Sequence, residues 1–120
     1  MKVLVCGGRN FIDKEAIECA LNYAHDRKGI SCLIHGDCRG VDRICGDWAK
    51  SKGVPVLVVP ANWDFYGNKA GPIRNKWMID FCKPDLVVGF EGGKGTEGMI
   101  KLAQSDGIEI WRPKSNNKTI

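Results

Sequence analysis

Pro84-Asp-Leu-Val-Val-Gly-Phe-Glu-Gly-Gly-Lys-Gly-Thr-Glu-Gly-Met99 joins a short apolar run to three closely spaced glycines, a threonine and the start of a helical pattern. Glycines let backbone N–H groups approach an anion, and the threonine adds a hydroxyl. The positive end of the helix dipole that follows favours negative charge. The stretch therefore predicts a strand, a phosphate-binding turn and a helix, in that order.

The rest of the chain repeats this alternation of apolar runs and helical patterns. The predicted strands cover residues 2–6, 31–35, 54–60, 85–90 and 108–112. The predicted helices cover 14–27, 41–52 and 96–105, with another that opens at Pro72 as its first residue and ends before Pro84. Nearly continuous Val, Leu and Ile in strands that alternate with helices predict an α/β fold. We expect a Rossmann-like three-layer sandwich around a five-stranded parallel sheet of order 3-2-1-4-5.

Helix boundaries and apolar faces can also be predicted. Asp13 is the expected N-cap of the first helix, and Gly53 the left-handed cap that ends the second. The apolar positions of the first helix are Ala16, Ile17, Ala20, Leu21 and Ala24; those of the second are Val41, Ile44, Cys45 and Trp48. Along the helix that opens at Pro72, the residues that repeat at helical spacing are Ile73, Trp77, Met78 and Phe81.

A second glycine turn, Cys6-Gly7-Gly8-Arg9, follows the first strand. In the order 3-2-1-4-5 the first and fourth strands are neighbours, and the direction of winding reverses between them. A crevice forms there at the carboxyl ends of the strands, where ligands of open α/β sheets bind. Both glycine turns are predicted to meet at this crevice.

Composition restricts the class of protein. The chain of 120 residues is long enough for one domain with its own core. We expect one globular domain over residues 1–112 and a polar C-terminal tail over 113–120. The formal charge of +4 comes from residues of both signs, so it suits an anionic ligand without defining a surface for nucleic acid. There is no apolar run of membrane-spanning length and no secretion signal pattern, so we expect a cytoplasmic protein with no membrane partner.

The six cysteines, at positions 6, 19, 32, 38, 45 and 82, form no C-x-x-C pair. Without a secretion signal, we expect most of them to be reduced thiols. Cys19 and Cys45 fall near apolar helical positions, where we expect them to be small buried hydrophobes. His25 and His35 supply no zinc spacing with them. We therefore expect no metal and no resident cofactor.

Two common phosphate motifs are excluded by spacing. Gly92-Gly-Lys-Gly-Thr96 resembles a Walker A loop, but Gly95 rather than Ser or Thr follows Lys94. The turn after the first strand lacks G-x-G-x-x-G, which argues against an NAD-dependent hydride enzyme.

Four motifs in order resemble the YspA-like, YpsA-related branch of the SLOG superfamily. They are Cys6-Gly-Gly-Arg9, His35-Gly-Asp-Cys-Arg-Gly-Val-Asp42, Gly71-Pro-Ile-Arg-Asn75 with Met78, and Gly92-Gly-Lys-Gly-Thr96. The superfamily includes the LOG-type phosphoribohydrolases and the DNA-processing protein DprA. The resemblance implies a Rossmann-like fold with a pocket for nucleotides or nucleotide-derived molecules.

The predicted ligand-binding residues lie in these motifs. They are Gly7, Gly8, Arg9, His35, Gly36, Asp42, Arg74, Asn75, Gly92, Gly93, Gly95 and Thr96. Trp63 and Tyr66 are candidates for stacking on a base. Several have an equally plain structural alternative: His35 as a packed loop residue, Asp42 as a partner of the helix dipole, and both aromatics as loop packing. For Lys94 the alternative is solvent exposure at the loop tip, while Thr96 is expected to start the last helix.

One departure bears on catalysis. In LOG-type enzymes the segment that this one resembles has the pattern Pro-Gly-Gly-x-Gly-Thr-x-x-Glu. Its final glutamate acts with an arginine in N-glycosidic cleavage. Here Glu91 replaces the proline and Met99 the glutamate. A thioether can neither stabilise an oxocarbenium ion nor activate water. Arg74, Glu91 and Glu97 remain catalytic candidates.

The sequence thus favours a module that binds a nucleotide-derived small molecule as a sensor or sequestering protein. The alternative is a LOG-like phosphoribohydrolase that cleaves nucleoside 5'-monophosphates. DNA binding like that of DprA is a third reading, disfavoured because no basic stripe is visible. Related SLOG proteins pair through helices, so we also expect a homo-oligomer.

Overall fold

The structure, a computed structural model, describes residues 1–113 as alternating strands and helices. The strands are β1 (Lys2–Cys6), β2 (Cys32–His35), β3 (Val56–Val58), β4 (Leu86–Gly89) and β5 (Glu109–Trp111). The helices are α1 (Lys14–Lys28), α2 (Val41–Lys52), α3 (Trp63–Tyr66), α4 (Ala70–Trp77) and α5 (Lys94–Ser105). A 3₁₀ turn (Gly67–Lys69) precedes α4 and a π-helical turn (Met78–Cys82) continues it. The predicted polar tail, apart from its first residue, lies outside the described residues.

All strand pairs are parallel, and the sheet order is β3-β2-β1-β4-β5. The predicted fold class and strand order are therefore confirmed. Val3 pairs with Leu33 on one side and with Leu86 on the other. Cys6, the last residue of β1, pairs with Gly89, the last residue of β4. The chain therefore leaves β1 and β4 side by side at the same edge of the sheet.

Side chains alternate between the two faces of the sheet and build two cores. Val3 and Val5 pack with α1 and α2 in one buried cluster, which also holds Ile17 and Trp48. Leu4 faces the other way and packs with Met78 and Met99. The predicted apolar positions of α1 are buried, as are those of α2 except half-buried Ile44. Asp13 caps α1 by accepting from the Ala16 N–H at 3.0 Å, and Gly53 ends α2 with φ 71°, both as predicted.

The region before β4 differs from the prediction. The predicted loop contains α3 and the 3₁₀ turn, and α4 begins at Ala70, so Pro72 is its third residue instead of its first. A proline is tolerated there because the first N–H groups of a helix have no intrahelical acceptor. Met78 is buried, but Ile73, Trp77 and Phe81 are 42%, 46% and 69% exposed. Ala70, Gly71 and Asn75 instead form the buried side of α4.

Three smaller expectations are also corrected. α5 begins at Lys94, so Thr96 is its third residue instead of its start. β3 is shorter than predicted and lies at the sheet edge, where Leu57 and Val58 are exposed. Cys19 is exposed on α1 because it lies off the buried stripe. All six cysteines are free. No helix within residues 1–113 is long and apolar enough to cross a membrane.

Candidate functional site

A cleft of about 1250 Å³ opens at the carboxyl ends of β1 and β4 and continues between α4 and α5. It lies at the switch point where the sequence placed the ligand crevice. The predicted site residues that line it are Gly7, Gly8, Arg9, Gly36, Asp42, Trp63, Arg74, Asn75, Glu91, Gly92, Gly93, Gly95 and Thr96. His35, Tyr66 and Glu97 do not line it.

The two glycine turns are in direct contact. The Gly8 N–H donates to the Glu91 carbonyl at 2.9 Å. A Cβ on Gly8 would lie 3.0 Å from that carbonyl oxygen, and one on Gly92 would lie 2.8 Å from the Gly8 nitrogen and collide with Thr96. Both positions therefore need glycine so that the backbones can approach. The convergence of the turns predicted from the strand order is confirmed.

The start of α2 is partly occupied by the protein itself: among residues 1–113 its Val41 N–H has an acceptor, while those of Asp42 and Arg43 have none. Its N-cap, Gly40, has φ 86°, and an added Cβ would lie 2.5 Å from the carbonyl oxygens of Gly8 and Arg9. The Val41 N–H lies 3.4 Å from the Gly8 carbonyl oxygen and donates to it. Asp42 accepts through Oδ2 from the N–H groups of Gly36 at 3.1 Å and Cys38 at 3.2 Å. Asp42 therefore holds the β2–α2 loop closed.

Burial also changes the ionisation of Asp42. Desolvation raises the pKa of its carboxyl to about 6, although the Cys38 N–H and the charge of Arg74 oppose the shift. Burial destabilises the charged carboxylate by more than these partners stabilise it. Asp42 is thus a loop-closing group whose charge depends on pH in the mildly acidic range.

The start of α5 is open by comparison. Gly93 is its N-cap and makes no side-chain cap bond, while the Glu97 N–H donates to the Gly93 carbonyl at 3.1 Å. The N–H groups of Lys94, Gly95 and Thr96 have no hydrogen-bond partner among residues 1–113. Gly93, Lys94 and Gly95 are exposed and line the cleft. The positive end of the α5 dipole and its free donors therefore face the cleft.

Arg74 and Asn75 link α4 to the two sides of the site. Arg74 donates through Nη1 to the carbonyls of Gly36 at 2.9 Å and Val59 at 3.2 Å, and through Nε to Asn75 Oδ1 at 2.8 Å. Asn75 is buried and donates to the Gly95 carbonyl at 3.3 Å. These bonds place Arg74 in a bracing role, while its Nη2 has no partner among the described residues. A direct contact of Arg74 with ligand stays a prediction.

His35 and Cys6 offer little chemistry to the cleft. The His35 ring is buried, its Nδ1 accepts from the Asp37 N–H at 2.9 Å, and its Nε2 faces Gly46, where a Cβ would approach to 2.8 Å. Burial lowers the pKa of His35, which favours the neutral ring. These contacts agree with the alternative in which His35 is a packed loop residue. Cys6 lines the cleft, but burial raises its pKa to about 12, so its thiol stays protonated.

Of the two candidates for aromatic stacking, Trp63 lines the cleft and Tyr66 does not. Trp63 lines the cleft and is 46% exposed, and a Cβ on Gly71 would lie 3.2 Å from its ring. Gly71 therefore lets the indole lie against α4. Tyr66 is turned away from the cleft lining and its ring stands edge-on to Phe65, with centroids 4.7 Å apart.

The two carboxylate candidates for catalysis also differ in position, because Glu91 lines the cleft and Glu97 does not. Glu97 forms a two-bond ion pair with Arg112, at 2.9 and 3.0 Å, which lowers the pKa of Glu97. Glu91 is exposed and lines the cleft. Met99 lines it too, although its side chain is nearly fully buried. No carboxylate therefore occupies the position of the LOG-type glutamate.

The charge of the cleft lining favours an anion. Five cationic side chains line the cleft against two carboxylates. The cations are Arg9, Arg74, Lys76, Lys94 and Lys101; the carboxylates are Asp42 and Glu91. Within residues 1–113 no group of three His, Cys, Asp or Glu side chains could hold a metal ion.

The part of the cleft between α4 and α5 was not predicted from the sequence. Its lining includes Gly98, Lys101, Leu102 and Ser105. These positions follow helical spacing on one face of α5, so the signal was present. It was overlooked because the face mixes glycine, lysine, leucine and serine, and its role depends on how closely α4 approaches.

Comparison with known proteins agrees with this architecture. The model of the YspA, cpYpsA-related SLOG family matches residues 1–66, more than half of the chain. The Gene 61 protein of Mycobacterium phage D29 is 31% identical over 117 residues, an alignment that covers 91% of this chain and 93% of that protein. The chain therefore belongs to the YspA, cpYpsA-related SLOG family.

Proposed function

We propose that the protein binds a nucleotide or a nucleotide-derived phosphorylated ligand in the cleft and acts as a sensor or sequestering module. The observation that carries the proposal is the open start of α5. The N–H groups of Lys94, Gly95 and Thr96 lack partners within the described chain and lie at the positive end of a helix dipole. A phosphate group accepts hydrogen bonds from such donors and is favoured by the dipole.

The surroundings of this helix start support a ligand larger than phosphate. The cleft is about 1250 Å³, which exceeds the space that a phosphate alone requires. Its excess of cationic side chains favours a multiply charged anion. Trp63 lies along the same cleft, where its exposed indole can stack on a base. Membership of the SLOG family is consistent with this class of ligand.

Binding without turnover is favoured over hydrolysis because of the groups that the cleft lacks within residues 1–113. Met99 stands where LOG-type enzymes have their glutamate, and Glu97 is paired with Arg112. The Cys6 thiol is protonated at neutral pH. Glycosidic cleavage requires a positioned carboxylate or an equivalent group, and only Glu91 and the loop-closing Asp42 remain in the lining.

Identification of a bound molecule tests the proposal. Purified protein is incubated with cell extract, washed and denatured, and the released small molecules are identified by mass spectrometry. We expect an intact phosphorylated nucleotide derivative. Ribose phosphate together with the matching free base in the extract would instead indicate the phosphoribohydrolase.

Calorimetry with a nucleotide panel then measures affinity. Gly93→Asp places a carboxylate at the open helix start, where its Cβ meets no atom within 4 Å, and we expect affinity to fall at least about 100-fold because of charge repulsion and competition for the donors. The matched control, Gly93→Ala, adds the Cβ without the charge and should bind within about threefold of the wild type. Failure to bind nucleotides, ADP-ribose species or cyclic dinucleotides, with no molecule recovered from extract, would contradict the proposal.

A further inference from the structure

Two polar side chains are almost fully buried and still reach the cleft. Asp42 and Thr96 are each 6% exposed, and both line the cleft. The Asp42 Oδ2 atom accepts from two loop N–H groups, but neither Asp42 Oδ1 nor the Thr96 hydroxyl has a hydrogen-bond partner among residues 1–113. These two oxygens are not sealed off, because every fully buried side-chain nitrogen or oxygen in that part of the chain has a partner. Both oxygens are therefore open to the cleft.

The free oxygen of Asp42 calls for a hydrogen-bond donor. Among the described residues, no Lys or Arg side chain lies within ion-pair distance of Asp42. The pKa of its carboxyl is about 6, so the group is mostly ionised above pH 7 and its oxygens can then only accept hydrogen bonds. A charged oxygen that is nearly buried and unpaired is costly. A ligand with O–H donors at this place would remove that cost.

The Thr96 hydroxyl has the opposite preference because of its surroundings. Thr96 is the third residue of α5, and its own N–H is one of the free donors at the positive end of the helix dipole. A hydroxyl can donate as well as accept, so in this place it can donate to a phosphate oxygen. The cleft thus offers donors at the start of α5 and an acceptor at the start of α2.

Gly8 lies between the elements that carry these two side chains. Its carbonyl accepts from the N–H of Val41, the residue before Asp42. On its other side, the Gly8 nitrogen lies 2.8 Å from the place of a Cβ on Gly92, and that Cβ would collide with Thr96. The backbone of one glycine therefore separates the two ends of the site. This short separation suits two groups of one small molecule, such as the phosphate and the sugar hydroxyls of a nucleotide.

We propose that Asp42 Oδ1 accepts hydrogen bonds from the 2′- and 3′-hydroxyls of a ribose, so that the cleft selects ribonucleotides in which both hydroxyls are free. This inference rests on the proposed function, because it takes the phosphate to lie at the start of α5. The sugar joins phosphate to base, which places it between that helix start and Trp63. One carboxylate oxygen has two lone pairs, which two neighbouring hydroxyls can fill. A sugar without hydroxyls would leave the oxygen unpaired.

Calorimetry of the full chain with matched ligands tests this selection. The probes are the four ribonucleoside 5′-monophosphates and their 2′,3′-dideoxy counterparts, measured at pH 8 so that Asp42 is ionised. The wild type should bind the ribonucleotide of its preferred base at least about 10-fold more tightly than the dideoxy form. Thr96→Val removes the hydroxyl at the phosphate end, so it should weaken both forms and leave their ratio unchanged.

Asp42→Asn separates a ligand contact from a purely structural role. The variant keeps one oxygen for the loop N–H groups and places an NH₂ donor where Oδ1 stood. The preference for ribose should fall to within about threefold, while the dideoxy form should bind no less tightly, because a negative charge has left an anion site. The matched control is Asp37→Asn, an exposed residue of the same loop that does not line the cleft, and it should keep the wild-type ratio. Circular dichroism shows whether each variant is folded.

The possible failures are distinguishable. Equal affinity of the wild type for both forms, or a folded Asp42→Asn that keeps the wild-type ratio or weakens both forms equally, overturns the role of Asp42 and leaves the phosphate site intact. If neither form of any nucleotide binds and no phosphorylated molecule is recovered from extract, the proposed function fails and this inference fails with it.

Discussion

Two helices start at the carboxyl edge of the sheet behind a glycine N-cap, yet their first turns are used differently. In α2, which follows Gly40, the Val41 N–H donates to Gly8 and the Asp42 carboxylate takes the donors of the preceding loop. In α5, which follows Gly93, the second residue is Gly95, and the first donors have no partner among the described residues. Among residues 1–113, the protein thus uses one of the first three N–H groups of α2 and none of those of α5. The second residue adds a carboxylate at the start of α2 and a glycine at the start of α5, so the start of α5 is the more open to an anion.

α4 lies between these two helix starts and braces both. Arg74 reaches the Gly36 carbonyl on the α2 side, and its neighbour Asn75 reaches the Gly95 carbonyl on the α5 side. Adjacent residues of a helix point in directions about 100° apart, which allows this division. The open start of α5 is thus held in place by a buried amide, while the arginine supports the closed side.

Ionisation of the Asp42 carboxyl gives the largest expected effect on the α2 side. The pKa of this carboxyl is raised from its ordinary value of 3.8 to about 6 in the folded protein, so the folded state binds the proton more tightly than the unfolded state. Stability from this group is therefore present below pH 4 and is lost as pH rises to about 6. The loss is on the order of 3 kcal/mol.

Asp42→Asn removes this titration while it keeps an oxygen acceptor. Urea unfolding of both proteins at several pH values should show the wild type losing stability relative to the variant between pH 4 and 6. Asp37→Asn, at an exposed neighbour with φ 61°, is the matched control and should not reproduce this change. A stability difference between wild type and Asp42→Asn that is independent of pH would contradict the assigned role.

Arg74→Ala should have the next largest effect, and mainly on stability. It leaves the carbonyls of Gly36 and Val59 without their charged donor, at a cost of about 2 kcal/mol in the free energy of unfolding. Arg43→Ala removes an exposed cation 3.6 Å from Asp37 and should cost less than about 0.5 kcal/mol. Thermal unfolding of both variants measures the difference. If Arg74→Ala abolished ligand binding without any loss of stability, Arg74 would be a ligand contact instead of a brace.

The features predicted correctly from sequence are those with local signals. The apolar run of β4 and the glycines from Gly92 to Gly95 are visible without any partner, and strand order follows from the connections. The approach of the two glycine turns, seen in the contact of Gly8 with Glu91, could be predicted because neighbouring parallel strands end at the same edge of the sheet. Asp13 and Gly53 carry their capping chemistry in their residue type.

The errors arise where the outcome depends on distant partners. Helical spacing identified Ile73, Trp77 and Phe81 as a face, but spacing cannot say what covers it. Gly71 and Asn75 took the buried side because small and amide groups allow close approach and a bond to Gly95. The bonds of Arg74 to Gly36 and Val59 were not predicted, because these residues lie 38 and 15 positions away in sequence; its contact with a ligand stays a prediction.

Converting the open helix start into a closed one gives the smallest effect on stability and the most direct test of the comparison. Gly93→Asp gives α5 a carboxylate of its own, at a residue whose φ of −99° accepts a side chain. Without ligand the variant should be more stable by about 0.5–1 kcal/mol, because aspartate is a good N-cap and its charge suits the dipole. The gain requires the ionised carboxylate, so it should be present at neutral pH and vanish as pH falls below about 4.

Thermal unfolding of Gly93→Asp and Gly93→Ala in phosphate-free buffer measures this gain in stability. A variant that gains this stability but loses ligand binding ties both properties to the same free donors, whereas no gain would mean that the start of α5 is already satisfied.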